Sequence, residues 1–578
     1  FLTYCEFSGY WDFSMFELNK PSESTVRQWE EAGAALASAL SKYLDLCALL
    51  GPNLRKDETS AKAMAMRIDS ALETFHTKLE LRVTESRSVL ARTRNQLLPP
   101  ISCLSNEILS EIFTYVVFNP VDPSNPVSMK KSLVDIYQSL HSLLGVCSAW
   151  RDVVLARGSF WSIIPIVEPR SPGFSFHNGY KPRSTGISLG RSGSTNLHLA
   201  GIISAYNYGA ELIEHIPRFG SINIISSSTS AISHLLSLVL GSGCPLQVSS
   251  LSLCLESNVP PSQIPPQRTS LSSCQRFQQK DLEDLVESLS VIRLSDVLFD
   301  WDRVKLSHRL VELELRNLNL GSDSNFISLL ISLSSTTELL TLKLIGVTTY
   351  PDPVTPQLTT TKPIISLPKL QTMVARNLQF HALDLLLSSI TSRSHQLTLH
   401  LTRRSVEIPL DNLQTEEVTT QHLVDLFRQV TVNTLLLENF EGEGYWLSAA
   451  DICELLWAMP NLETLRMHIW KFTTEFCEMI QRPNIPSECP QIKNMYLSQA
   501  RIRDDKAFMN MVASYFKSLE RMELAGSVIK GSQSAGFSGY LQGQEPIVAW
   551  LLENVPNFVL KTNQEVPPEF RAPVWQLW

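Results

Sequence analysis

The sequence predicts an α/β chain in two unlike parts, an all-α region up to about residue 160 and a repetitive α/β solenoid beyond it. Three observations carry this prediction. Before that point apolar residues recur at spacings of three and four; after it, short segments with alternating leucines recur about every 30 residues; and stretches rich in Pro, Ser and Thr separate several of those segments. At 578 residues the chain exceeds one ordinary domain of roughly 150 residues, which calls for several units or one long repeat.

Composition narrows the function. With 44% hydrophobic and 18% charged residues and a net charge of -8, the chain is globular and mildly acidic, without the concentrated Lys/Arg surface that nucleic acid requires. Its 10 cysteines form no CxxC pair, which fits neither a zinc ribbon nor a dense disulfide framework and implies reduced thiols in cytosol or nucleus. Residues 1–20 form an aromatic tail that carries Glu6 and Asp12 and lacks a basic leader; the chain also lacks an initiating Met, as a truncated start would. The longest apolar runs elsewhere, such as Ile232 to Leu240, fall short of the roughly 20 residues a membrane helix needs. The expectation is an intracellular protein that partners neither membrane nor nucleic acid and needs no metal or cofactor.

Residues 21–95 read as a long helical hairpin or coiled coil. Val26, Trp29, Leu36, Leu40, Tyr43 and Leu44 make one stripe, Gly51-Pro52 ends it, and Met64, Ile68, Leu72, Phe75, Leu79, Val83 and Leu90 make a second from about Ser60 to Asn95. Pro99-Pro100 then stops the helix. Ser105 is placed to cap the next one, in which Ile108, Leu109, Ile112, Phe113, Val116 and Val117 form a face wider than one packing partner needs. A loop from Asn119 to Ser128 leads to a second helix with Leu133, Ile136, Leu140 and Leu143; Gly145 is expected to break it before a third, VCSAWRDVV.

LSNEILSEIF, followed by SLLGVCSAWRDVVLARGSFW, resembles the F-box motif over about 65 residues, here 96–165. The matching positions are Leu104, Glu107, Ile108, Leu109, Ile112, Phe113, Val146, Cys147, Trp150, Arg151, Phe160 and Trp161; Ser105 stands where the family usually has proline. The arrangement is similar to large fungal, mushroom-type F-box-like families. The resemblance implies a three-helix F-box that docks on the Skp-type adaptor of a cullin-RING ubiquitin ligase. Leu104, Ile108, Leu109, Ile112, Phe113, Val146, Trp150 and Trp161 would then serve the adaptor contact or the small core that shapes it.

From residue 166 to 578 the pattern is LxxLxL: FGSINI at Phe219, LSVIRL at Leu289, LVELEL at Leu310, LLTLKL at Leu339, LQTMVA at Leu370, LETLRM at Leu462, IKNMYL at Ile492 and LERMEL at Leu519. Starts 310, 339 and 370 differ by 29 and 31, and 462, 492 and 519 by 30 and 27, at the long end of the roughly 20–29 residues of a leucine-rich repeat. The consensus asparagine is largely missing, which predicts an irregular leucine-rich-repeat solenoid without the usual asparagine ladder; a generic α/β domain is the alternative. NFISLLISLSS and LSAADICELLWAMP supply return helices, and loops fall near 257–280, 348–366 and 529–545.

No motif speaks for catalysis. GISLG at Gly186 matches the nucleophile elbow formally, but Pro182 before it and RSGST after it argue against a helix starting there. LGSGCPL at Leu240 is no phosphate loop and reads as the end of the Ile232 helix, and the 12 histidines include no HExxH. What remains is surface. Residues between the leucines face away from the core, which puts Glu312, Glu314, Arg316, Thr341, Lys343, Thr464, Asn494, Ser498 and Glu523 on one face and makes Arg466, His468, Tyr496 and Arg521 the candidates for holding a protein substrate. The reading is a non-enzymatic substrate receptor; a repeat-based scaffold with a drifted F-box, or an enzyme with an unrecognised site, are the alternatives.

Overall fold

The computed structural model describes residues 23–50, 58–97, 101, 104–118, 125–167, 183–204, 210–241, 247–256, 278–352, 362–391, 395–410, 414–440, 445–482, 489–530, 537–561 and 566–577. The aromatic tail 1–20 and much of the three expected loops lie outside them. The chain divides into two compact units, residues 1–113 with 143–153 and residues 114–142 with 154–578.

In the first unit α1 (Glu23–Leu50) starts and stops where its proline and glycine signals place it. The second helical segment is longer than expected and is not uniform, because a π-helical turn, Ala71–His76, separates α2 (Glu58–Ser70) from α3 (Thr77–Leu97). α1 meets that turn through Tyr43, whose ring centroid lies 5.4 Å from Phe75 and whose hydroxyl is 3.3 Å from His76 Nε2. Trp29, Leu36 and Leu44 stay exposed. By length and composition alone α1 could also cross a membrane; a count of unbroken apolar runs passes over it because Gly33, Ser38, Ser41 and Lys42 interrupt the run.

Three further helices follow, α4 (Asn106–Val117), α5 (Met129–Val146) and α6 (Ser148–Ala156). Ser105 caps α4, its hydroxyl accepting from the Ile108 amide at 3.5 Å. The break expected at Gly145 falls two residues later, at Cys147. Open space surrounds Gly145, so nothing in its packing forces the helix to stop there.

Most of the second unit is one sheet. Of its 16 strands, two are short side pairings, Lys471–Phe472 and the antiparallel Phe537–Tyr540; the other 14 are β1 (Ile163–Val167), β2 (Leu197–Ile203), β3 (Phe219–Ser226), β4 (Ser250–Leu255), β5 (Val291–Ser295), β6 (Glu312–Arg316) and β7 (Thr341–Ile345), then β8 (Thr372–Arg376), β9 (Gln396–Leu401), β10 (Thr434–Glu438), β11 (Thr464–His468), β12 (Asn494–Ile502), β13 (Arg521–Lys530) and β14 (Asn557–Leu560). Each pairs in parallel with the next in chain order. Such an order requires every connection to return on the same side, which is the geometry of a solenoid. Return helices such as Asp323–Leu333 and Ala449–Ala458 bury Leu329, Leu330, Leu455 and Leu456 against strand leucines such as Leu313, Leu315 and Leu465 in one continuous core.

The residue after the strand repeats the same conformation. Asp296, Asn317, Gly346, Asn377 and Ile469 have φ of 60°, 51°, 62°, 52° and 61°. Each donates its amide to a carbonyl of the following strand, those of Arg316, Ile345, Arg376, His400 and Ser498, at 3.0, 2.8, 2.8, 3.0 and 3.0 Å. A main-chain turn ladder thus stands where an asparagine side-chain ladder would. Asp, Asn and Gly accept the left-handed region readily, whereas a β-branched residue there loses roughly 1–2 kcal/mol. Ile469→Asn is expected to raise stability by about 1 kcal/mol, measured as a higher melting temperature; an unchanged or lower value would show that the partly buried isoleucine side chain outweighs the strain.

Candidate protein-recognition face

Strand alternation sends Leu313 and Leu315 of β6 into the core and leaves Glu312, Glu314 and Arg316 on the opposite face, opposite Thr341, Lys343 and Ile345 of β7 in register. There the charges pair. Arg293 grips Glu312 in bidentate fashion at 3.1 and 3.0 Å, Lys343 reaches Glu312 and Glu314 at 3.4 Å each, and Arg316 donates to Glu314. Burial pushes the Glu312 pKa up, but Arg293 and Lys343 outweigh it and hold this carboxyl below its ordinary value.

Outward-facing residues of a sheet should be wet, yet Glu314, His400 and His468 are each only 2% exposed, and Asn223 6%. The C-terminal segment Val566–Leu577, which follows the last strand, covers them. Its path is marked by hydrogen bonds from side chains of the sheet to its main-chain carbonyls: Arg376 to Arg571 at 2.6 Å, Arg316 to Val574 at 3.2 Å, and Asn223 to Gln576 and Leu577 at 2.9 and 2.6 Å. Side chains add to this grip. Glu569 pairs with Arg466 at 2.8 Å, Phe570 stacks on His468 at 4.9 Å and meets His400 edge-on at 5.4 Å, and the Trp575 indole donates to Asn223 at 2.7 Å beneath the Arg316 guanidinium. The Trp575 carbonyl in turn accepts from the Met129 amide at 2.8 Å. Burial pushes the His400 imidazole below its ordinary pKa despite Glu438 at 3.0 Å.

Three of the four residues expected to hold a substrate, Arg466, Tyr496 and Arg521, come together. Arg466 pairs in register with Tyr496, and Tyr496 with Glu523, while the Arg466 and Arg521 guanidinium groups lie 3.9 and 5.8 Å from the Tyr496 ring centroid. Arg521 is tied to Glu523 at 2.5 Å. They line a cavity of ≈ 560 Å³ whose other wall is the segment Val566–Arg571. His468 departs from the expectation, being buried under Phe570 with Ser498 Oγ 2.8 Å from its Nδ1. The residues expected to hold a substrate include neither Asn223, Arg376 and His400 nor the segment they hold. The available signal is Pro567-Pro568 followed by Phe570, Trp575 and Leu577 after the last repeat, apolar residues with no strand to belong to.

The helical candidates sort by face. Leu109, Phe113 and Val117 are buried at successive turns of α4, whereas Ile108, Ile112 and Val116 on the adjacent face are exposed, Ile108 by 50%. Phe113 packs against Trp150, centroids 4.8 Å apart. Leu104 and Val146 are exposed, while Trp161 is 1% exposed, donates its indole N–H to Val154 at 3.0 Å and lies under Arg191. Trp161 therefore belongs to the framework and not to a contact surface.

GISLG lies within a helix, α7 (Arg183–Arg191), contrary to the expectation that none starts there. The nucleophile elbow is still absent, because Ser188 sits inside this helix, fully buried, with its hydroxyl 2.6 Å from that of Tyr137. Among the described residues no group of His, Cys, Asp or Glu could hold a metal ion.

No protein-family model matches the chain, and no curated protein matches it. Among solved structures, the leucine-rich repeat-containing protein LegL7 from Legionella pneumophila is similar at 12% identity and a TM-score of 0.28, over 68% of this chain and 97% of that one. The TLR13–ssRNA13 complex is similar at 13% identity and a TM-score of 0.29, over 59% of this chain and 43% of that one. At such scores neither likeness says more about this chain than its own strands do. Its parallel order, its turn ladder and its single core make the second unit an α/β repeat solenoid with one polar sheet face turned away from the return helices.

Proposed function

We propose that the chain is a substrate receptor, with α4–α6 acting as an F-box that docks on the Skp-type adaptor of a cullin-RING ubiquitin ligase and the solenoid holding the protein to be ubiquitinated. The observation that carries the adaptor side is the two-faced α4. A helix of 12 residues that buries Leu109, Phe113 and Val117 needs no second apolar face, yet it exposes Ile108, Ile112 and Val116. An uncovered apolar surface of this kind marks a protein contact. The solenoid adds an outward sheet face that carries Arg and Tyr, residue types that dominate protein recognition. A receptor of this kind raises the local concentration of its substrate near the conjugating enzyme and contributes no catalytic group. It would work in cytoplasm or nucleus, where buried thiols such as Cys254, Cys453 and Cys477 stay reduced.

Co-purification tests the reading. The chain is expected to capture the adaptor, and Ile108→Asp, which sets a charge at the most exposed position of that α4 face, is expected to weaken capture at least about 100-fold (roughly 3 kcal/mol) with an unchanged melting temperature. Equal capture by the variant, or no capture by the unmodified chain, removes the ligase assignment and leaves a scaffold.

A further inference from the structure

The segment Val566–Leu577 is held in the manner of a ligand. Its Phe570, Trp575 and Leu577 are buried, but none of them belongs to the core that strands and return helices share. Four of its carbonyls accept from the side chains of Arg376, Arg316 and Asn223. Contacts to carbonyls accept almost any sequence, as peptide-binding grooves do. Selectivity would come from three side chains: Glu569 on Arg466, Phe570 on the imidazoles of His400 and His468, and Trp575 against Asn223 and Arg316. The ≈ 560 Å³ cavity beside Glu569, lined by Arg466, Tyr496 and Arg521, leaves room at that end for a bulkier segment than the one present.

We propose that this face is a groove for a protein segment bearing a carboxylate followed directly by an aromatic residue, on a turn like that of Pro567 to Arg571, with a second aromatic five positions on, and that Val566–Leu577 fills it in cis until such a segment displaces it. The inference rests on the receptor reading of the solenoid, for which it names the substrate chemistry and its control, and its test involves no adaptor. A tethered occupant acts at an effective concentration in the millimolar range, so a strap of micromolar intrinsic affinity weakens any competitor by about 1,000-fold.

The probe is a fluorescein-labelled peptide with the sequence of residues 566–577, its binding to the full chain read by anisotropy. The unmodified chain is expected to bind it weakly, and the Phe570→Ala/Trp575→Ala chain at least about 100-fold more tightly, with a lower melting temperature but a melt that stays cooperative. A charge exchange checks the register without touching a buried ring. The same peptide carrying Glu569→Arg should lose affinity for the opened chain and recover it when that chain also carries Arg466→Glu. The proposal falls if the opened chain keeps its cooperative melt and binds the peptide no better than the unmodified one. It falls equally if opening abolishes the melt, which would make the segment a structural cap, or if the charge exchange restores nothing. None of these outcomes alters whether α4 captures the adaptor, so the two readings fail separately.

Discussion

Gly526→Ala is expected to destabilise the C-terminal end of the solenoid by about 3 kcal/mol, and Gly526→Val by at least as much. A Cβ at this position would lie 2.2 Å from the Ala500 carbonyl oxygen and 3.0 Å from its carbon, inside any permitted contact. Neither side can move away easily. The register between β12 and β13 shifts between Leu497 and Ala500, which turns that carbonyl toward Gly526, and β12 is also paired to β11 on its other edge. In a solenoid each repeat leans mainly on its neighbours, so the damage should stay local. Amide exchange is expected to speed up in β13, β14 and the helix Pro546–Asn554, with β5 to β8 unaffected. Since the clash arises at Cβ, alanine should already carry most of the loss; an alanine variant as stable as the parent sinks the steric account. The same variants should loosen the cavity wall, because Arg521 and Glu523 stand on β13.

The repeat was legible because burial writes itself into sequence with the period of the strand. All eight LxxLxL segments, from FGSINI to LERMEL, became strands of the one sheet. Three strands outside that pattern, β4, β9 and β10, have the same inward leucines but a weaker frame. QLTLHL of β9 and TLLLE of β10 lack the leading leucine two residues before the strand, and SLSLCL of β4 has serines where the pattern is usually marked by charge. α4 was legible as a helix with more apolar surface than one core requires, although nothing in its spacing identifies what would cover the excess.

The strap was not legible for a different physical reason. Its hold on the sheet depends on carbonyls, which every residue has, and on partners more than 100 residues away, as Asn223 and Arg376 are from Gln576 and Arg571. No periodicity records such contacts. The consequence reached the site itself. His468 was expected to be an exposed recognition residue from its place on the strand, and only the segment above it makes it a buried one. Ser188 shows the reverse case. Its segment folds as a helix where Pro182 argued against one, yet a serine inside a helix and bonded to Tyr137 is no more presented on a turn than one in a loop.

The charge network beneath the strap gives the last expectation. Glu314 is 2% exposed and lies between Arg316 and Lys343, so Glu314→Ala leaves two cations facing each other with no anion at that level of the sheet. Removing one partner of a buried pair typically destabilises by about 3–5 kcal/mol, more than the pair itself contributes, because the remaining charge is still desolvated. Lys343 keeps Glu312 and is a third exposed, which places the expected loss near the lower limit, about 3 kcal/mol. The effect should not stop at stability. Arg316 both donates to Val574 and covers Trp575, and without Glu314 to orient it the middle of the strap loses its clamp while Glu569 keeps its partner Arg466 at the other end. Glu314→Ala is therefore expected to lower the melting temperature and to expose the Trp575 indole to a fluorescence quencher, whereas Glu314→Gln, which can still accept from Arg316, should keep most of the Trp575 protection. If the alanine variant loses stability but leaves Trp575 as protected as before, the network supports the sheet alone and the strap is held by its two ends.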